Sequence, residues 1–184
     1  MARSGMQTLI DTVRGYANAA PDEWTVTTDS SLVEYWSDAE IERVLDRHKT
    51  EVFREPLERL TARRYATGTT NIEGGSAFEV EDGNGAAVAG FTVDLARGVV
   101  SFAADQSDSI RLFWSGYAYD LYAAAADIWR MKAAHVANLV DFSTDGHSIK
   151  RSQQAQAYLN MAGYYQQRSA SEGVQTAKIV RDDL

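Results

Sequence analysis

The stretch Tyr117–Phe142 reads YAYDLYAAAADIWRMKAAHVANLVDF, and its reading decides the fold class. Leu121, Ala125, Ile128, Val136 and Leu139 recur on one face at helical spacing. Ala123-Ala124-Ala125-Ala126 and Ala133-Ala134 are strong helix formers, and their small side chains let a neighbouring helix approach closely. The spacing predicts a helix over 117–142. Ser143-Thr144-Asp145-Gly146 has turn chemistry and ends it. A second helix is expected over 148–168, with Ala155, Tyr158, Leu159, Ala162 and Tyr165 as its inner stripe. Two long helices joined by a short turn make an antiparallel hairpin.

Upstream of this hairpin the composition changes. Residues 61–116 are rich in Gly, Thr, Val and Ser. Phe78 to Asp82, Val88 to Leu95, Val99 to Phe102 and Ile110 to Trp114 are expected strands, with an earlier one near Leu60 to Ala66. Asp82-Gly83-Asn84-Gly85 and Ala96-Arg97-Gly98 are turns, because Gly and Asn tolerate positive φ. The tips Asp82–Gly85 and Thr67–Gly75 are expected to be mobile, for want of apolar anchors. In residues 1–60, Met6, Leu9, Ile10, Val13, Tyr16 and Ala17 form one short apolar stripe. Ser37 with Glu40 three residues later has the spacing of a capping box and opens a helix expected over 38–50, with Ile41, Val44, Leu45 and His48 inward. The expected fold is therefore α+β, mainly α: a helical bundle with a long antiparallel helix hairpin (117–168), N-terminal helices of the same body (1–60), an inserted antiparallel β-meander (61–116) and a polar tail (169–184).

The 184 residues carry 18 Lys plus Arg and 26 Asp plus Glu, a net charge of −8, which supplies no overall basic face for gripping phosphates. Cysteine is absent, which excludes disulfides, thiolate metal sites and Cys nucleophiles. No run of about 18 apolar residues exists to span a membrane as a helix. The N-terminal residues lead into an amphipathic stretch rather than the apolar block of a signal peptide.

Catalytic patterns are missing. His48 sits on the inner stripe of its helix and reads as a core or helix-end histidine, His135 has no carboxylate at ligand spacing, and Ser143, Asp145 and His147 lie in one turn, where they cannot point as a relay requires. Asp82 to Gly85 and Asp141 to Asp145 lack the acidic ladder and terminal Glu of a calcium loop. The glycines at 68, 74 and 75 belong to no phosphate-binding loop. No enzyme activity, metal or cofactor is expected. Aromatic rings on both long helices and the basic pairs beside them suggest contacts with other chains. The candidate subunit-interface residues are Tyr117, Tyr122, Trp129, Arg130, Lys150, Arg151 and Tyr164.

The segment Tyr119-Asp120-Leu121-Tyr122, the alanine run, Asp127-Ile128-Trp129-Arg130-Met131-Lys132-Ala133-Ala134-His135 and then Asp141-Phe142-Ser143-Thr144-Asp145-Gly146-His147-Ser148-Ile149-Lys150-Arg151-Ser152-Gln153 resembles the head–tail connector, or adaptor, proteins of long-tailed bacteriophages. Tyr35 to Ile41, Arg54 to Leu57, Phe78 to Asp82, Asn84-Gly85 and Gly98 to Phe102 extend the likeness over residues 32–168. The resemblance implies a structural virion protein at the head–tail junction, made in the host bacterial cytoplasm. It would form a ring, usually dodecameric, below the portal. The ring extends the channel through which genomic double-stranded DNA passes and offers a platform to the stopper or another neck protein. It also implies that the tail holds the portal, which makes Val174, Lys178, Ile179, Val180, Arg181 and Leu184 the candidate portal-binding residues, with Ser169 to Gly173 as a flexible joint. The alternative is a small single-stranded-DNA-binding protein, against which the net charge argues.

Overall fold

The Ser37 hydroxyl accepts a hydrogen bond from the Glu40 amide at 3.3 Å, and Asp38 and Glu40 occupy the positive first turn of the helix they open. In the computed structural model of the chain this helix runs Asp38–Asp46, with Ile41, Val44 and Leu45 buried. It stops short of the expected Thr50. Lys49–Pro56 is a strand instead, as its β-branched and aromatic residues Thr50, Val52 and Phe53 favour.

The structure describes residues 2–20, 25–28, 31–34, 36–107, 109–137, 142–144, 147–149 and 151–173. In chain order the elements are α1 (Gln7–Ala17), β1 (Thr25–Thr28), β2 (Ser31–Glu34), α2 (Asp38–Asp46), β3 (Lys49–Pro56), β4 (Glu58–Arg59), β5 (Arg64–Ala66), β6 (Glu79–Asp82), β7 (Phe91–Asp94), β8 (Val99–Phe102), β9 (Leu112–Tyr119), α3 (Leu121–Ala137), β10 (Phe142–Thr144), β11 (His147–Ile149) and α4 (Arg151–Gly173). A single 3-10 turn, Gly75–Ala77, precedes β6. The chain divides into two units, one of Met1–Thr12 with Ser37–Asp120 and one of Val13–Trp36 with Leu121–Leu184.

The first unit holds two antiparallel sheets, of order β3-β9-β6 and β4-β5-β8-β7. Their strands are not a meander, because β6 pairs with β9 while β5 pairs with β8. Between the sheets lies an apolar core of Leu57, Tyr65, Ile72, Phe78, Val80, Val100, Phe102, Leu112 and Trp114. The Trp114 indole nitrogen donates to the Thr67 carbonyl at 3.1 Å. The sheets thus bury an apolar core of their own. The segment Thr67–Gly75 is anchored, contrary to expectation: Thr67, Ile72 and Glu73 are buried, and Ile72 bridges to Ala118. Asp82–Gly85 is a closed turn in which the Asp82 carboxylate accepts from the Asn84 and Ala86 amides at 2.8 and 2.9 Å.

In the second unit, α3 and α4 pack side by side and run antiparallel. Trp129 meets Tyr158, and seven residues back along α3 Tyr122 meets Tyr165. They are not the expected helix hairpin. Tyr117 to Tyr119 belong to β9, so α3 begins only after Asp120, a residue type suited to helix starts. Between α3 and α4 the chain forms the antiparallel pair β10–β11 rather than a short turn. Ser169 to Gly173 continue α4 and are no joint. Among the described residues the architecture is thus a small α+β protein of four helices and antiparallel sheets, not a helical bundle with an inserted meander. The local signals for helix were right in kind, but the alternating aromatics of 113–119 also satisfy a strand, and pairing with Lys49–Pro56 decides it.

Candidate functional site

The aromatic residues that suggest subunit contacts divide between the two units. Tyr117 is half-buried on β9, opposite Glu51, with the Lys49 ammonium 4.4 Å from its ring centroid. The other described candidates lie in the second unit. Trp129 is buried; its indole nitrogen donates to the Tyr16 carbonyl at 3.2 Å and its ring meets Tyr158, so it serves the interior of that unit. Tyr122 stacks on Tyr16 and Tyr165. Arg130 is exposed, pairs with Asp127 at 2.8 Å and donates to the Gln166 side chain at 2.9 Å.

Tyr164 and Tyr122 are brought together through Arg168. Its guanidinium lies 4.6 Å from the Tyr122 ring centroid and 5.7 Å from that of Tyr164, and donates to the Tyr164 hydroxyl at 3.0 Å. That hydrogen bond, with the neighbouring tyrosine hydroxyls, holds the Arg168 pKa above its ordinary value. Burial, reinforced by Tyr164, raises the pKa of Tyr165. Lys150 and the tail residues Val174, Lys178, Ile179, Val180, Arg181 and Leu184 lie outside the described residues, as does the Arg151 side chain.

Leu159 departs from the sequence expectation. It is not on the inner stripe of α4, which Ala155 and Ala162 line with half-buried Tyr158 and Tyr165, but 48% exposed. With Met161 and Tyr164, 37% and 50% exposed, it gives α4 large apolar side chains open to solvent. From Ser152 to Gln167 this helix carries no charged residue at all. Surface helices are normally charged on their outer face, and depletion of charge with retention of Tyr and Met is the compositional mark of an interface centre. The sequence signal was there to be found, as sixteen uncharged residues in a chain that is 24% charged.

Two buried polar arrangements were not legible beforehand. Lys132 is 1% exposed on α3; its ammonium donates to the Asn18 carbonyl at 2.7 Å and sits 5.0 Å from the Trp129 ring centroid. In the first unit Arg3 gathers three carboxylates, with contacts of 2.7 Å to Glu42, 2.6 Å to Asp46 and 3.8 Å to Glu73. The Tyr119 hydroxyl donates to buried Glu73 at 2.6 Å and accepts from Arg3 at 3.3 Å. Burial raises the Tyr119 pKa, and the Glu73 carboxylate raises it further. Burial pulls the Arg3 pKa down, but the Asp46 hydrogen bond and the Glu73 charge outweigh it and the net shift is upward. Arg3 is the shared cation of these carboxylates, which is the arrangement of a clamp holding the N-terminal residues to α2 and β9.

His48 is half-buried just beyond α2, and its carbonyl accepts the Asp120 amide at 3.1 Å. His135 is half-buried on α3. Among the described residues no group of three or more His, Cys, Asp or Glu side chains could hold a metal ion. No described helix is long and apolar enough to cross a membrane. Compared with family models, curated proteins and solved structures, the chain matches none.

Proposed function

We propose that the chain is a structural virion protein, a head-to-tail adaptor that forms a ring below the portal of a long-tailed bacteriophage, extends the DNA channel and offers a platform to the stopper. The motif order along residues 32–168 supports the assignment to this class. The observation that carries it is α4, a 23-residue helix whose described side chains are buried only at Ala155 and Ala162. Its uncharged outer face, with Leu159, Met161 and Tyr164, suits coverage by another chain. A ring subunit needs such a face. Residues 174–184 are assigned to the portal contact.

Light scattering and negative-stain electron microscopy of the purified full chain test this reading. Closed rings are expected, and the double substitution Leu159→Glu with Tyr164→Glu should disperse them while leaving the circular dichroism unchanged. A chain that stays monomeric at all concentrations overturns the ring. Deleting 174–184 should leave the melting curve unchanged and abolish docking onto the portal. Docking at full affinity would move the portal contact elsewhere.

A further inference from the structure

The outward face of the β3-β9-β6 sheet collects cations on aromatic rings. The Arg54 guanidinium lies 5.2 Å from the Phe113 ring centroid and pairs with Glu81 at 3.4 Å. Lys49 covers Tyr117 in the same manner. Between these two places lies a recess of about 290 Å³, lined by Glu51, Phe53, Ser76, Glu79, Ser115 and Tyr117 among others. The register explains its composition. Glu51 stands opposite Tyr117 and Glu79 opposite Ser115, so their side chains share one face. Gly116, between them on β9, points to the other face, where a Cβ would come within 2.9 Å of the Ala77 carbonyl oxygen. That close approach seats the 3-10 turn, with Ser76 and Ala77, at the rim.

Two features of the recess are unspent. Phe53 is 81% exposed and, among the described residues, no cation lies over its ring. Glu51 and Glu79 enter no ion pair with a described residue. The edge of β3 offers no alternative use, because a bulge between Val52 and Glu55, with Arg54 at φ 48°, and Pro56 at its end interrupt the pairing a further strand would need.

We infer that this recess is a binding site for an arginine side chain presented by a basic segment of a partner protein, held between the Phe53 ring and the Glu51 and Glu79 carboxylates. The chemistry repeats what the sheet does for its own Arg54, an aromatic face below and a carboxylate beside. Arginine suits it better than lysine, since a planar guanidinium stacks on a ring and donates to a carboxylate at once. A different protein fits better than a second copy, because the chain carries a net charge of −8 and a basic partner is attracted to it. The inference lies within the sheet unit and stands whether or not the chain forms a ring.

The absence of cysteine allows a clean test. The full-length Ser76→Cys variant, labelled with an environment-sensitive dye at the rim, is titrated with acetyl-Gly-Arg-Gly-amide and with the same peptides carrying lysine or citrulline. A saturating response to the arginine peptide is expected, with a dissociation constant on the order of millimolar for one side chain. The lysine peptide should bind more weakly and the citrulline peptide not at all. Glu51→Gln with Glu79→Gln, in the labelled background, should weaken arginine binding about tenfold or more. Phe53→Ala should weaken it by a smaller factor without altering the circular dichroism, since this ring packs on little. Equal responses to arginine and citrulline, or unchanged binding by the double Gln variant, overturn the site. Loss of self-association in the unlabelled double Gln variant would show that the arginine comes from a second copy, and would overturn the assignment to a different protein.

Discussion

Asp82 closes its turn by accepting two backbone amides, from Ala86 and Asn84, and these bonds hold its carboxyl below the ordinary value of 3.8, with Arg54 adding to the effect. A depressed carboxyl stabilises the folded turn above the unfolded pKa, and that contribution is lost as pH falls through the lower folded value. Acid titration followed by NMR should therefore show the Asn84 and Ala86 amides moving together with a midpoint below 3.8, and Asp82→Ala should abolish the transition. A midpoint at or above that value would contradict the bonding. Tyr119 makes a different test. Removing its hydroxyl as Tyr119→Phe leaves the buried Glu73 carboxylate short of a donor, at a cost of about 1–3 kcal/mol in urea unfolding. Asp82 and Ser37 were legible because their partners lie within four residues and the turn or cap chemistry is local. The Arg3 clamp was not, because Arg3 and Tyr119 are 116 residues apart and nothing in either neighbourhood marks the meeting.

At the scale of elements, the β7–β8 turn depends on one residue. Gly98 has φ +65°, and a Cβ there would lie 1.8 Å from the Thr69 carbonyl oxygen and 2.3 Å from the Thr67 hydroxyl. Gly98→Ala therefore meets backbone as well as strain, and should destabilise by more than the roughly 1 kcal/mol of an ordinary Gly–Ala exchange, measured by the shift in denaturation midpoint. In α3, Ile128 is fully buried, and Ile128→Asp should cost about 3–5 kcal/mol by leaving an unpaired charge in the interior. Helix existence was readable where the apolar period ran long: Met6 just before α1, Leu9, Ile10, Val13 and Ala17 on it, and Leu121, Ala125, Ile128 and Val136 on α3 are buried as the spacing required. The sheet arrangement was not readable, for a physical reason. Lys49–Pro56 and 117–119 each have a local pattern that fits helix continuation or strand, and only their pairing with each other, across more than sixty residues, selects the strand. Leu159 was misplaced for a smaller reason: α3 is covered on several faces, so the α4 stripe against it is narrow, and the alanines and tyrosines fill it.

For the whole molecule, the distribution of charge sets what it can hold. The net charge is −8, and at least six of the 18 basic residues are already paired with carboxylates. Arg3 sits among Glu42, Asp46 and Glu73, Arg43 pairs with Glu40, Arg54 with Glu81, Arg63 with Asp105, Arg97 with Asp94 and Arg130 with Asp127. A phosphate backbone would have to replace these carboxylates one by one, and each exposed pair exchanged for a phosphate returns little, because its surface charges are well solvated beforehand. Among the described residues the large exposed aromatic rings do not form a stacking platform either: Phe53 lines the recess with Glu51 and Glu79, and Tyr164 is engaged by Arg168. Mobility-shift titrations of the purified chain with oligo-dT and with duplex DNA should therefore show no retained complex at physiological salt, and no steep recovery of binding as salt is lowered. That outcome fits a subunit past which DNA must slide without sticking. Tight binding of oligo-dT that weakens steeply with salt would favour the single-stranded-DNA reading over the adaptor.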